Sequence, residues 1–209
     1  IAFSSYSLRE LGENEGHTWC NVDLLKNAVE EAAPECADVF DGVLENNSFL
    51  YQYEDRIGLK LYHDLEMKIL SIIKDRLDKE SPVPLSNEEI EVGIKQAENE
   101  QGFNYTDEQR SIIHSIIGQN ISFVTGKAGT GKSSILRGII RAYSLTNHTI
   151  SACALSAMAA QRITEATDYP AMTIHRTLCC TGPNTFDYNK DNKLISPVVL
   201  MDEASMVNV

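Results

Sequence analysis

Apolar residues recur at intervals of three and four through DLLKNAVEEA, from Asp23, and CADVFDGVLENN, from Cys36. That spacing gathers side chains on one face of an α-helix, and Pro34 breaks the chain between the two. In SFLYQYEDRIGLKLYH, from Ser48, the period changes: the runs on either side of Glu54 and Asp55 alternate as the strands of a hairpin do. Helix, helix, hairpin is the order of a winged-helix unit, a frame that serves protein contact as well as DNA reading. LEMKILSIIKDRL predicts a further helix, SPVPLSN a proline-bearing linker, and Ser86 with Glu89 a capping box that opens the next helix.

From FNYTDEQRSIIHSIIGQN onward the order is helix, strand (ISFVTG), helix (KSSILRGIIRAYS), strand (TISACAL), helix (MAAQRITEAT), an irregular region, and strand (SPVVLMDE). Strands that are apolar throughout and alternate with helices predict a parallel sheet covered on both faces. The fold class is therefore α/β, a P-loop parallel-sheet core preceded by a mainly helical, winged-helix-like domain. The expected division is 1–85 for that first domain, 86–104 for a helical linker and 105–209 for a partial P-loop NTPase domain.

At 209 residues and 43% hydrophobic content the chain can bury a substantial core. No apolar run approaches the roughly 20 residues that span a bilayer, and the N-terminus has no basic stretch followed by an apolar one. Neither membrane nor export is indicated. Five cysteines, with Cys179 and Cys180 adjacent, do not suit a disulfide framework; reduced thiols in the cytoplasm do. His17, Cys20 and Cys36, or His175, Cys179 and Cys180, lack the paired CxxC spacing of a zinc site. The net charge of −12 is unevenly placed: residues 1–100 hold 22 acidic and 9 basic side chains, residues 101–209 hold 8 and 9. Such asymmetry suggests different partners for the two halves, with protein partners for the acidic one, although a solvated helical surface would carry the same charge.

Gly126, Lys127, Ala128, Gly129, Thr130, Gly131, Lys132 and Ser133 fit GxxxxGK[ST] at every defined position, between an apolar run and a helix that continues with Ser134. Glycines let backbone N–H groups turn inward around phosphates, and the helix presents its partially positive N-terminus to them. Lys132 would reach the β- and γ-phosphates of ATP, and the Ser133 hydroxyl would ligate Mg²⁺. In VVLMDEAS an apolar strand ends in Asp202, which can hold the same metal, beside Glu203, which can deprotonate an attacking water. Thr106 and Gln109 form a T-x-x-Q capping box; Gln109 could instead read the N6/N7 edge of adenine, and one rotamer cannot do both. SAMAAQRITEATDYPAMTIHRTL offers hydroxyls, His175 and Arg176 close to a strand end, suited either to a packed helix or to DNA contact.

Together these motifs resemble the RecD-like branch of superfamily 1 DNA helicases, the exodeoxyribonuclease V alpha-subunit type. The resemblance is carried by Gln109 in TDEQ, the loop GKAGTGKS, SAMAAQR as motif Ia, TIHR as the following DNA-contact motif and DEASM as motif II. SLRELGENEGHTW and IGLKLYHDLEMKI look like the segment that precedes the motor in stand-alone members. The resemblance implies a RecA-like core that binds ATP and Mg²⁺ and drives 5′-to-3′ translocation on single-stranded DNA in recombination or repair. It also implies that Lys132, Ser133, Asp202 and Glu203 carry hydrolysis, that Gln109 contacts adenine, and that Ser156, Thr173 and His175 touch the DNA strand. The sequence departs from the pattern at Ala128 and Ser133, as Pif-type helicases do, and at Leu155, Ala157 and Met158 in motif Ia.

Motifs III to VI, with the arginine finger and the second RecA-like domain, would follow Val209. The chain is thus expected to be a fragment that binds Mg·ATP, hydrolyses it barely and unwinds nothing. The alternatives are a P-loop switch or assembly ATPase with an acidic protein-binding module, a phosphotransferase, and, within the helicases, a segment of a conjugative relaxase.

Overall fold

The computed structural model describes residues 2–15, 17–35, 40–45, 48–127, 129–183 and 185–207. Two compact units divide between Ile73 and Lys74.

The first unit runs α1 (Ala2–Glu15), β1 (Trp19–Asn21), α2 (Val22–Ala32), α3 (Phe40–Glu45), β2 (Leu50–Tyr53) and β3 (Arg56–Leu59), and then enters α4 (Lys60–Leu77). Its antiparallel sheet has the order β1-β3-β2, and the hairpin turns at Glu54 and Asp55 as the alternation requires. β1 and α1 are further elements of this unit, and neither is marked by a strong periodicity. Asn21 starts α2 by accepting from the Asp23 N–H. Leu8, Leu25, Val29, Phe40, Leu50, Ile57 and Leu59 form the core, which uses one face of the sheet. Residues 36–39 and 46–47, at the ends of the second expected helix, lie outside the described residues.

In the second unit α5 (Asn87–Gln101), α6 (Asp107–Ile117) and α7 (Lys132–Leu145) precede β4 (Ile150–Ala154), α8 (Ala157–Thr167), β5 (Ala171–Thr173), the single turn α9 (Ile174–Thr177), the ribbon β6 (Cys180–Gly182) and β7 (Thr185–Phe186), and β8 (Val198–Asp202). Both expected capping boxes form, Ser86 with Glu89 opening α5 and Thr106 with Gln109 opening α6. The parallel sheet has the order β5-β4-β8. Ile90, Ile94, Ile113, Ile117, Ile139 and Ile140 make the centre of its largest core. Truncating such a residue to alanine costs about 2–5 kcal/mol.

The structure differs from the sequence expectation in three places. The segment 86–104 is not a linker between domains: α5 lies against α7 so closely that a Cβ on Gly93 would stand 2.4 Å from Ala142 Cα. Val83 and Leu85 also pack on this core, so the division between units falls inside α4 instead of after residue 85. ISFVTG forms no strand; Phe123 and Val124 are exposed, because among the described residues no neighbour supplies the ladder a parallel strand needs. Finally, Val199 and Met201 are exposed, so one face of β8 is uncovered among the described residues. No helix among them is long and apolar enough to cross a membrane.

Candidate functional site

The P-loop closes on itself before α7 begins. Gly129 (φ 80°) and Gly131 (φ 85°) adopt the left-handed conformation that side-chain-bearing residues avoid, and Gly131 is the residue from which α7 starts. Thr130 donates from its hydroxyl to the Lys127 carbonyl (2.9 Å), and Lys132 reaches back so that its ammonium donates to the carbonyls of Gly126 and Lys127, each at 2.9 Å. Ser133 is exposed and Ser134 half-buried in the first turn of α7. Ala128 lies outside the described residues.

Gln109 touches this loop. Its Oε1 accepts from the Thr106 N–H (3.1 Å) while its Nε2 donates to the Thr130 carbonyl (3.4 Å). Both ends of the carboxamide are therefore engaged, one in the cap of α6 and the other on the P-loop, so this rotamer is not the one that would read adenine. Tyr105, which sequence pattern does not single out, donates its hydroxyl to the Ser134 carbonyl and so ties the entrance of α6 to the first turn of α7. Burial pushes its phenol up to about 12, which keeps the donor protonated.

The acids lie at the end of the sheet. Register pairs Ala154 with Thr173 on one side and with Asp202 on the other, which sets all three in one row at the carboxyl ends of parallel strands, where α/β sheets bind ligands. Asp202 Oδ1 accepts from the Glu203 N–H (2.9 Å), and Glu203 itself is left-handed (φ 55°). Among the described residues no hydrogen bond joins the P-loop to Asp202 or Glu203.

The expected DNA-contact hydroxyls are engaged in local structure. Ser156 caps α8 by accepting from the Ala159 N–H (3.1 Å), and Thr173 caps α9 by accepting from the Arg176 N–H (3.3 Å). The His175 ring lies 6.2 Å from that of Phe186. Arg137 and Arg141 hold the other end of α8 by donating to the carbonyls of Ala166 and Thr167, roles that residue type alone does not disclose.

The loop fits a phosphate-bearing nucleotide. A Cβ on Gly126 would stand 2.8 Å from the Thr130 hydroxyl, and one on Gly131 would stand 2.3 Å from Gln109 Nε2, so neither position has room for a side chain. Lys132 would supply the charge, and Ser133 and Asp202 are hard oxygen donors suited to Mg²⁺.

Residues 109–209 match the model of the AAA domain family. The chain is 28% identical over 154 residues to the ATP-dependent RecD2 DNA helicase of Deinococcus radiodurans, a match that covers 74% of this chain and 21% of that protein. The chain thus spans about a fifth of that relative's length. Over these residues the chain is thus similar to an AAA domain and to part of a RecD2 DNA helicase.

Proposed function

We propose that the chain is the ATP-binding and hydrolysing core of a RecD-like DNA helicase that moves 5′ to 3′ on single-stranded DNA in recombination or repair. Its setting is the cytoplasm, where exposed thiols such as Cys179 and Cys180 stay reduced. The carrying observation is the row of Ala154, Thr173 and Asp202. It sets the residue proposed for the metal level with a residue proposed for the DNA strand.

When bound, Mg·ATP supplies the phosphoryl group that passes to water. The backbone N–H groups from Gly129 to Ser133 would hold its phosphates, and Lys132, which donates to two loop carbonyls here, would pair with phosphate oxygens more strongly through charge. Ser133 and Asp202 would hold the metal. Glu203 takes the proton of the attacking water, and Gln109 joins the loop to α6 in this rotamer and meets adenine in another. Ser156, Thr173 and His175 meet the DNA strand. The acidic first unit contacts protein partners. The 209-residue chain by itself binds Mg·ATP without unwinding DNA.

Phosphate release by the full-length protein, with and without single-stranded DNA, tests the reading, with Lys132→Ala as the blank. Strong stimulation that disappears in the variant is the expected result. Lys132-dependent release that ignores DNA would replace the motor with a switch or assembly ATPase, and a phosphorylated acceptor in place of free phosphate would replace it with a phosphotransferase.

A further inference from the structure

The sheet of the first unit carries a notch on the face away from its core. Register sets Trp19, Gly58 and Tyr51 in one row and Asn21, Arg56 and Tyr53 in the next. Directly paired residues share a face, and the intervening Ile57 and Leu59 are buried on the other one. Trp19, Tyr51 and Tyr53 remain 49, 37 and 61% exposed. Gly58 leaves the floor bare, and a Cβ there would stand 2.4 Å from the Thr18 carbonyl oxygen. The notch measures about 240 Å³, and α4 adds His63 and Glu66 to its walls.

Its chemistry selects a cation. The Arg56 guanidinium carbon sits 4.3 Å from the centroid of the Trp19 ring, so this face already stacks a planar cation. The His63 ring stacks on Tyr51 with centroids 3.6 Å apart, which braces the opposite wall. Glu66 accepts from the Thr18 hydroxyl and has no cation within ion-pair distance among the described residues. Residues 1–73 hold 14 acidic and 5 basic side chains. Of the nearby bases, Arg56 is committed to Trp19 and Lys60 to Asp64 (2.9 Å). Arg56 is the one arginine or lysine that lines the notch, so a nucleic-acid strand would bring its phosphates to a wall with no free cation among the described lining residues.

We propose that this notch docks a basic segment of a partner protein, an arginine or lysine entering between Trp19 and Tyr51 with its charge toward Glu66 and its stem along the rings. The proposal rests on the reading of the acidic unit as a protein-contact module.

Trp19 is the one tryptophan of the chain, so its emission reports the notch directly in the 209-residue protein. The probe is the end-capped peptide Gly-Arg-Gly-Arg-Gly, with Gly-Glu-Gly-Glu-Gly and oligo(dT) as comparisons. A saturable, salt-sensitive change with the basic peptide is expected, weakened about tenfold or more by Glu66→Lys, since reversing a contacting charge makes it repulsive. Circular dichroism of the variant confirms that this exposed substitution leaves the fold intact, and Tyr53→Ala gives a second, charge-neutral loss.

No saturable change, or an equal response to the acidic peptide, overturns the proposal. A tighter response to oligo(dT) makes the face a nucleic-acid site, and emission that changes with protein concentration alone, alongside a sedimenting dimer, assigns it to a second copy. Basic-peptide binding seen by anisotropy that ignores both Trp19 emission and Glu66→Lys keeps the module reading and overturns the notch.

Discussion

Gln109 Nε2 donates to the carbonyl oxygen of Thr130 at 3.4 Å, which makes the cap of α6 and the P-loop parts of a single contact. Glutamate at this position would keep the cap, because its carboxylate also accepts from the Thr106 N–H, but it has no donor for Thr130. Gln109→Glu should therefore leave the melting temperature nearly unchanged and weaken binding of a fluorescent ATP analogue several-fold. A net hydrogen bond is worth about 0.5–1.5 kcal/mol. Unchanged affinity would reduce Gln109 to a helix cap.

Gly131→Ala should destabilise the loop by about 1–2 kcal/mol through its positive φ, and the added methyl also meets the Gln109 amide. Because the amide is the far end of a flexible side chain, the expected relief is loss of the Thr130 contact. In the double variant Gln109→Ala/Gly131→Ala the nucleotide-binding losses should then fall short of their sum. A double-mutant cycle measured by titration checks this.

Lys132→Ala should barely change the melting temperature of the chain alone, since among the described residues the ammonium bonds only to two carbonyls of an exposed loop. Saturating Mg·ATP should raise the wild-type transition, by about 2.7 kcal/mol at a hundred times Kd, and should leave the variant where it was. Differential scanning fluorimetry distinguishes the two.

Acid should loosen the second unit through the ties between α5 and α6. The Glu91 carboxyl is held below its ordinary 4.5, first by the hydrogen bond with His114 and then by Arg110, against the opposing effect of burial. A group depressed on folding stabilises above its unfolded value, and that contribution is lost as pH falls through the folded one. The transition should thus drop as pH falls below about 4.5, and Glu91→Gln should flatten that limb. Because Glu91 is 40% exposed, the effect should be modest and smaller at high salt. Thermal melts at several pH values measure it.

Local chemistry made the two capping boxes, the glycine loop and the hairpin at Glu54 and Asp55 legible in the sequence, since each depends on residues close together in the chain. What was not legible depends on distant neighbours. Periodicity gives α5 an apolar face at Ile90, Ile94 and Ala97, yet says nothing of the partner, and only the approach of Gly93 to Ala142 reveals a core layer in place of a linker. ISFVTG has the composition of a buried strand, but a strand exists only through its ladder. At the candidate site the loop residues and Asp202 were readable by motif, whereas Tyr105 acts through a backbone carbonyl that carries no sequence signature.

The aligned strand ends have a mechanical consequence. Neighbouring strands lie about 4.8 Å apart, so two ladder steps separate Asp202 from Thr173 by about 10 Å along a hydrogen-bonded bar. Such a bar transmits displacement without bending, and freedom to pivot is left to the residues just beyond it. Glu203 (φ 55°), directly after Asp202 and in a left-handed conformation, is one such residue.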